Sequence, residues 1–201
     1  MGFIASTAFI LATQGQVKNE SNIRLDPPVA LAVVPTKDRL DEIWGNVDNR
    51  VNEQIDVWFD DGEFPTIISL LKVQYAYSPD DYEVATNLGW MQENVELKND
   101  AIATYTEYLN THPKDGDAAL PLAFLYYNMN KDYAKAVEIL EPMLKYNPRP
   151  NTYRVLAKSY ERLKKYSDAI RIWELELKRW PDEETAKANI RRVKQKLGIG
   201  G

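Results

Sequence analysis

Four prolines recur along this chain at a nearly constant interval. They are Pro79, Pro113, Pro148 and Pro181, separated by 34, 35 and 33 residues. Each lies in a short polar segment between two stretches with the apolar spacing of amphipathic helices. We call these segments joints; they are YAYSPDDYE (75–83), YLNTHPKDGD (108–117), LKYNPRPNT (144–152) and LKRWPDEET (177–185). Because proline stops a helix and a fixed period indicates a repeated supersecondary unit, the spacing predicts repeated helical hairpins.

Each unit also has a small or aliphatic residue twelve positions before its proline. These residues are Ile67, Ala101, Ala136 and Ala169. A small residue at this place lets two helix backbones approach, while Tyr, Trp and Leu at spacings of three and four fill the surrounding space. The pattern therefore predicts close helix pairs that stack on one another, because one hairpin cannot bury its own apolar face.

This placement of residues resembles the tetratricopeptide repeat, whose signature is W-x2-L-G-x2-Y, then A-x3-F, then P. The unit at 82–113 matches best, the unit at 150–181 nearly as well, and the unit at 116–148 has one extra residue in the turn around 130–132. The unit at 48–79 departs most. The matching positions of the best unit are Leu88, Gly89, Ala101, Tyr105, Tyr108 and Pro113. The resemblance implies an all-α, right-handed superhelical array of about four tetratricopeptide-like helical hairpins with a C-terminal capping helix.

The hairpin array is expected at residues 37–181, and the capping helix with its tail at 182–201. An apolar stripe of Ala186, Ile190, Val193 and Leu197 would close the core, and Gly198 would end the helix. The basic residues between the stripe positions are interpreted as a solvated face rather than a nucleic-acid patch. These are Lys187, Arg191, Arg192, Lys194 and Lys196. Within the array, Pro121 is compatible with a first helical turn, whereas Pro142 predicts a local bend.

Residues 1–16 form an apolar N-terminal segment, and residues 17–36 a proline-containing linker. Three interpretations of the segment stay open: a secretory signal or its remnant, an apolar arm that packs on this protein or a partner, and a lipidation site at Gly2. Its apolar run is too short to span a bilayer as a helix. Membrane association is expected only through residues 3–12. An exported, periplasmic or membrane-associated location is favoured over a cytoplasmic one.

The composition of the chain excludes several classes of catalytic and metal-binding site. The chain has no cysteine and one histidine, so thiolate metal sites and cysteine nucleophiles are excluded. His112 lies where Ser78, Asn147 and Trp180 lie in the other joints, which favours a structural role at a helix end over catalysis. No phosphate-binding glycine loop or metal-ligand spacing is present. We therefore expect no enzyme activity, no cofactor and no metal.

Charge is distributed unevenly along the sequence. Residues 1–130 contain 8 Lys and Arg against 20 Asp and Glu, whereas residues 131–201 contain 17 against 10. The net charge of −5 argues against general nucleic-acid binding. An uneven field of this kind orients a protein partner.

The resemblance also implies a binding surface, since the first helices of successive hairpins line the concave face of such arrays. Carried over to this chain, the wall consists of Asn49, Asp56, Phe59 and Asp60, then Asn87, Trp90 and Asn94, then Phe124, Tyr127 and Asn128, and finally Arg154, Lys158 and Arg162. Its order is acidic, aromatic, then basic. The aromatic residues have an alternative role, which is packing against the next unit or against the apolar segment 3–12. The chaperone-tail clamp of some family members is not reproduced.

These observations predict a non-enzymatic protein–protein interaction scaffold or adaptor. It would bind an extended peptide or partner segment on the concave groove through the residues of that wall. The alternative is a structural subunit of a membrane or cell-envelope complex, anchored through the apolar N-terminal arm. The oligomeric state stays open.

Overall fold

The computed structural model describes residues 36–198. The apolar segment 1–16, residues 17–35 of the linker and residues 199–201 lie outside the described residues, so what was predicted for them stays a prediction. Within residues 36–198, all regular structure is helical. The all-α fold class is therefore confirmed for this part of the chain.

Nine α-helices follow one another within residues 36–198. They are α1 (Thr36–Asp61), α2 (Phe64–Tyr77), α3 (Tyr82–Asn94), α4 (Lys98–Thr111), α5 (Leu120–Leu125), α6 (Tyr133–Leu140), α7 (Pro150–Arg162), α8 (Tyr166–Arg179) and α9 (Glu184–Lys196). A π-helical turn, Tyr126–Asn130, extends α5, and a 3₁₀ segment, Glu141–Tyr146, extends α6. None of these helices combines the length and apolar character needed to cross a bilayer.

The chain divides into two compact units, and the first contains α1. This helix has 26 residues, which makes it longer than each of the other helices within residues 36–198. It ends in a turn where Gly62 has a φ of 77°, and the N–H of Glu63 donates to the carbonyl of Trp58 at 2.8 Å. A left-handed residue followed by this backward hydrogen bond is the usual helix stop.

The second unit contains α2 to α9, which pack as adjacent pairs along the chain. Its apolar core is a series of overlapping clusters. One joins Ala85 to Tyr108 and the next joins Tyr105 to Leu125. The largest runs from Ala119, directly before α5, to Val193 in α9 and includes Trp173, which is fully buried. Leu109 packs against all three clusters, so each hairpin completes the core of its neighbour.

The small residues predicted at the helix crossings are buried as expected. Ala101, Ala136 and Ala169 have no exposed surface. Gly89 on α3 lies directly against the ring of Tyr105 on α4, where a Cβ atom would overlap the ring. The hydroxyl of Tyr105 donates to Glu93 at 2.7 Å and fixes the ring in place. The sequence feature Leu88-Gly89 thus marks a true close approach.

The turn inside each hairpin repeats with the same period as the prolines. Gly62, Glu96, Lys131 and Lys164 all have positive φ, and each lies 17 residues before the proline of its unit. The residue after each of them donates its N–H to a carbonyl in the last turn of the preceding helix. Three of these left-handed residues are not glycine, so each costs about 1 kcal/mol of backbone strain that the surrounding hairpin must offset.

The third hairpin differs from the prediction in how it holds its extra residue. The N–H of Asp132 donates to the carbonyl of Tyr126, six residues back, where the equivalent bonds of Leu97 and Lys165 reach five residues back. The extra residue is therefore held inside the helix, as the π turn, rather than in a longer loop. At Pro142 the α-helix is interrupted, because α-helical bonding stops at Leu140 and continues as the 3₁₀ segment. The bend expected there stays a prediction.

Successive joints contact one another. In the first contact, His112 Nε2 donates to Asp80 Oδ1 at 3.1 Å, while its Nδ1 lies 3.1 Å from the carbonyl of Tyr108. In the second, Asp117 accepts from the backbone N–H of Arg149 at 2.9 Å and from its Nε at 2.6 Å. His112 also stacks on the ring of Tyr108, with centroids 4.2 Å apart. His112 thus contacts a carbonyl in the last turn of its own helix, in agreement with the structural role that the sequence favours.

Candidate interaction surface

The residues predicted for the acidic part of the wall lie on α1. Asn49, Asp56, Phe59 and Asp60 are all exposed, and the spacing of seven and three or four places them along one side of the helix. Phe59 keeps 39% of its surface exposed. These four residues therefore form an accessible face of α1. That this face is part of the predicted binding wall stays a prediction.

On α3, the predicted residues also share one side of a helix. Asn87 and Trp90 are half-buried, and Asn94 is exposed. The Asn94 side-chain amide donates to the carbonyl of Trp90 at 2.8 Å. One donor of Asn94 is thus used within its own helix, whereas its side-chain oxygen remains an acceptor that a peptide N–H fits.

The aromatic part of the wall lies at the end of α5 and in the π turn. Phe124 and Tyr127 pack against the largest core cluster and remain half-buried rather than fully buried. Tyr127 meets Tyr133 edge to face, with centroids 5.3 Å apart. Asn128, next to it, is exposed. Both rings thus pack against a core cluster that extends from their own unit into the next, and both remain partly exposed.

Arg154 on α7 is bound by carboxylates of its own chain. Its Nε donates to Glu176 Oε1 at 3.1 Å, and its Nη2 lies 2.9 Å from Glu183 Oε2. The contacts join α7 to α8 and to the residue before α9. Arg154 was expected to face a ligand. It instead connects α7 to its neighbours, because its guanidinium binds two carboxylates of its own chain.

Glu176 is a fully buried carboxylate. Burial raises its pKa, and the charge and hydrogen bond of Arg154 oppose that rise. Within the described residues its Oε2 has no hydrogen-bond partner. An ionised group in this position depends on Arg154, since isolated buried charges are strongly unfavourable.

Lys158 and Arg162, one and two helical turns after Arg154, are exposed and border an open cavity of about 490 Å³. The cavity is also lined by the residues Tyr127, Glu161, Lys164, Tyr166, Arg192 and Lys196. Arg162 lies over the ring of Tyr133 at 6.0 Å, and a hydrogen bond with Tyr127 raises the pKa of its guanidinium. The structure therefore brings three of the predicted residues, Tyr127, Lys158 and Arg162, to one site.

Glu161 is the centre of this site and was not singled out from the sequence. Arg192 of α9 donates to both of its carboxylate oxygens at 2.7 Å, and Lys196 Nζ lies 3.6 Å away. Burial opposes ionisation of Glu161, but the hydrogen bonds and charge of Arg192 hold its pKa below the ordinary value. Arg192 and Lys196 are four residues apart and therefore lie on one side of α9. This spacing is the sequence signal that could have indicated a shared acidic partner.

The basic run of α9 is thus more than a solvated face. Its apolar stripe is buried at Ala186, Ile190 and Val193, as the capping interpretation predicts. Arg192 and Lys196 pair with Glu161 on the first helix of the preceding hairpin, although both remain exposed, as does Arg191. Across residues 36–198, no cluster of acidic and histidine side chains has a geometry that could hold a metal ion.

Comparison with known proteins found a family model that matches part of the chain. The family model described as anaphase-promoting complex, cyclosome, subunit 3 matches residues 95–174, which run from the end of α3 into α8. No curated protein sequence matches the chain.

Solved structures of MamA proteins share the fold. One aligns with 77% of this chain and 85% of its own at 20% identity, with a TM-score of 0.59. A MamA MSR-1 structure gives 20% identity over 74% of this chain and 86% of its own, with a TM-score of 0.51. An RS-1 MamA double mutant gives 15% identity over 75% of this chain and 84% of its own, with a TM-score of 0.56.

The proline period, the buried small residues at the crossings and the repeated left-handed turns agree with the family-model match and with the shared fold. The chain therefore shares the fold of the MamA structures, and its residues 95–174 match the family model.

Proposed function

We propose that this protein is a non-enzymatic scaffold that binds an extended segment of a partner protein along the first helices of its hairpins. The observation that carries the proposal is the convergence of Tyr127, Lys158 and Arg162, from two successive first helices, on one open cavity. Phe124 and Asn128 flank Tyr127 in sequence. Half-buried aromatic rings beside amides and cations are the composition found where proteins bind peptides.

Neighbouring residues hold the side chains of this surface in place, and this supports a role in binding. Phe124 and Tyr127 are held by the core cluster, and Arg162 is held over the Tyr133 ring. A partner segment that binds side chains already fixed in place loses less conformational entropy on the protein side. Asn94 and Asn128 add amide groups that pair with a peptide backbone regardless of its sequence.

Blocking the surface with a bulky side chain tests this proposal. Asn128 is exposed, so Asn128→Trp adds a ring over the surface without disturbing the core. We expect co-purification of partners with the full chain to fall about tenfold, which corresponds to about 1.4 kcal/mol of binding free energy. The readout is quantitative mass spectrometry of the proteins retained by each variant from cells of the native source.

Asn110→Trp is the matched control, because Asn110 is equally exposed but lies on a second helix, α4. The control should retain the partners, and both variants should melt at the temperature of the parent. If the Asn128→Trp variant retained every partner, the proposed binding surface would be contradicted. Loss of the partners only on deletion of residues 1–16 would instead support the alternative, a subunit held through its apolar N-terminal arm.

A further inference from the structure

We propose that the cavity between the π turn, α7 and α9 binds a short acidic peptide segment, with paired Asp or Glu side chains, from the partner protein. This inference rests on the proposed function and names the chemistry of the segment. Five of the eight residues that line the cavity are Lys or Arg, and one is acidic. The site is therefore strongly positive although the whole chain has a net charge of −5.

Part of the positive charge is fixed in place by Glu161. The side chain of Glu161 is 8% exposed, and it holds the guanidinium of Arg192 by two hydrogen bonds of 2.7 Å. Trp173 Nε1 also donates to Glu161 Oε1 at 3.4 Å. One carboxylate is shared by Arg192 and Lys196, so the group as a whole keeps a positive charge. The Glu161 group thus forms a rigid wall of the cavity.

Two other lining residues carry charges that no residue within 36–198 neutralises. Neither Lys158 nor Lys164 has an ion-pair partner there, although the partly exposed Lys135 and Lys187 do. Lys164 occupies the left-handed position of the α7–α8 turn, which fixes its backbone at the rim of the cavity. Lys158 lies one turn before Arg162 on α7. Carboxylates form their strongest hydrogen bonds with charged donors of this kind.

The distribution of charge favours an acidic peptide over a nucleic acid or an anionic membrane. A long polyanion would extend beyond the cavity along the preceding helices of the same unit, where residues 64–130 contain 9 Asp and Glu against 3 Lys and Arg. A short segment places its carboxylates in the cavity alone. A volume of about 490 Å³ suits a few side chains rather than a folded domain. Tyr127 at the cavity edge joins the site to the aromatic surface of the proposed groove.

Binding of a labelled peptide to the full chain tests the proposal. The probe is an acetylated, fluorescein-labelled peptide amide with four consecutive glutamates, and the control probe has glutamines in their place. We expect the glutamate probe to bind at least about tenfold more tightly than the glutamine probe at low salt. Lys158→Ala combined with Lys164→Ala should weaken binding of the glutamate probe about tenfold. Fluorescence anisotropy gives both dissociation constants.

A second basic cavity provides the matched control. Lys145 and Lys178 line an open cavity of about 610 Å³ near Tyr153. Lys145→Ala combined with Lys178→Ala removes the same charge from the chain, and it should change binding of the glutamate probe by less than about twofold. Equal losses in the two double variants would show a general field effect and would overturn the assignment of the site.

Two further outcomes would also overturn it. One is equal affinity for the glutamate and glutamine probes. The other is tighter binding of a single-stranded DNA or an anionic vesicle than of the glutamate probe, with the same loss in Lys158→Ala/Lys164→Ala. Failure of these binding tests together with partner loss in Asn128→Trp would leave the proposed function standing and remove only the acidic ligand. The two failures are therefore distinguishable.

Discussion

Replacing Arg154 by alanine is expected to destabilise the protein by about 3–5 kcal/mol at neutral pH. The substitution leaves Glu176, which is fully buried, without the guanidinium that donates to it at 3.1 Å. A buried carboxylate that loses its partner must either stay ionised at high cost or take up a proton. Chemical denaturation of the full chain, followed by circular dichroism, measures the loss.

The loss should depend on pH in a definite direction. Burial already raises the pKa of Glu176 in the folded protein, and removal of Arg154 raises that pKa further. The folded state then binds a proton more tightly than the unfolded state, so stability is greatest at low pH. It falls as the pH rises from the ordinary glutamate value toward the pKa of the folded variant. Arg154→Ala should therefore be less damaging near pH 4 than near pH 8.

Two comparisons separate this explanation from a general packing effect. Glu176→Gln in the Arg154→Ala background should restore much of the stability at pH 8, because no charge then remains buried. Arg171→Ala, which removes a half-exposed arginine from its pair with Glu141, should cost less than about 1 kcal/mol. Equal costs for Arg154→Ala and Arg171→Ala, with no pH dependence, would show that Arg154 is not a structural residue.

Gly89→Ala is expected to destabilise the protein by about 1–3 kcal/mol, although alanine is the better helix former. The new Cβ would overlap the ring of Tyr105, which is 3% exposed and tied to Glu93 by its hydroxyl. The ring has no space to retreat, so α3 and α4 must separate. Thermal and chemical unfolding should both show the loss.

Gly45→Ala is the matched control for this prediction. Gly45 lies within α1, and no residue within 36–198 is near enough to touch an added Cβ. Alanine there should be neutral or stabilising by up to about 1 kcal/mol, because only helix propensity changes. A stabilising Gly89→Ala would show that α3 and α4 do not approach as closely as described. Tyr105→Leu should reduce the penalty of Gly89→Ala if the ring is its cause.

The repeat could be predicted from the sequence because its signals are local and periodic. The prolines mark the joints, the small residues mark the crossings, and both are visible at a spacing of 33 to 35 residues. The structural role of His112 followed from comparing the four joints. The left-handed turns at Glu96, Lys131 and Lys164 were less visible, since glycine marks only the first of the four equivalent turns. The π turn was missed because an extra residue has the same sequence signature in a loop and in a helix.

The electrostatic details of the surface could not be predicted for a different reason. Arg154 and Glu176 are 22 residues apart, and Arg192 and Glu161 are 31 apart, so their pairing depends on how whole helices pack. Helical spacing correctly placed Arg154, Lys158 and Arg162 on one side of α7. It could not show that Arg154 would be engaged by its own chain, or that the cations of α9 would join Lys158 and Arg162.

Site-specific photo-crosslinking tests the central claim, that partners bind along the first helices, most directly. A photoreactive amino acid is placed at the exposed position of Asn128 and, in a separate protein, at that of Asn110 on α4. Both proteins are irradiated in cells of the native source, and crosslinked partners are identified by mass spectrometry. The proposed function predicts a discrete crosslinked partner from position 128 and none from position 110. A partner crosslinked only from position 110 would contradict it.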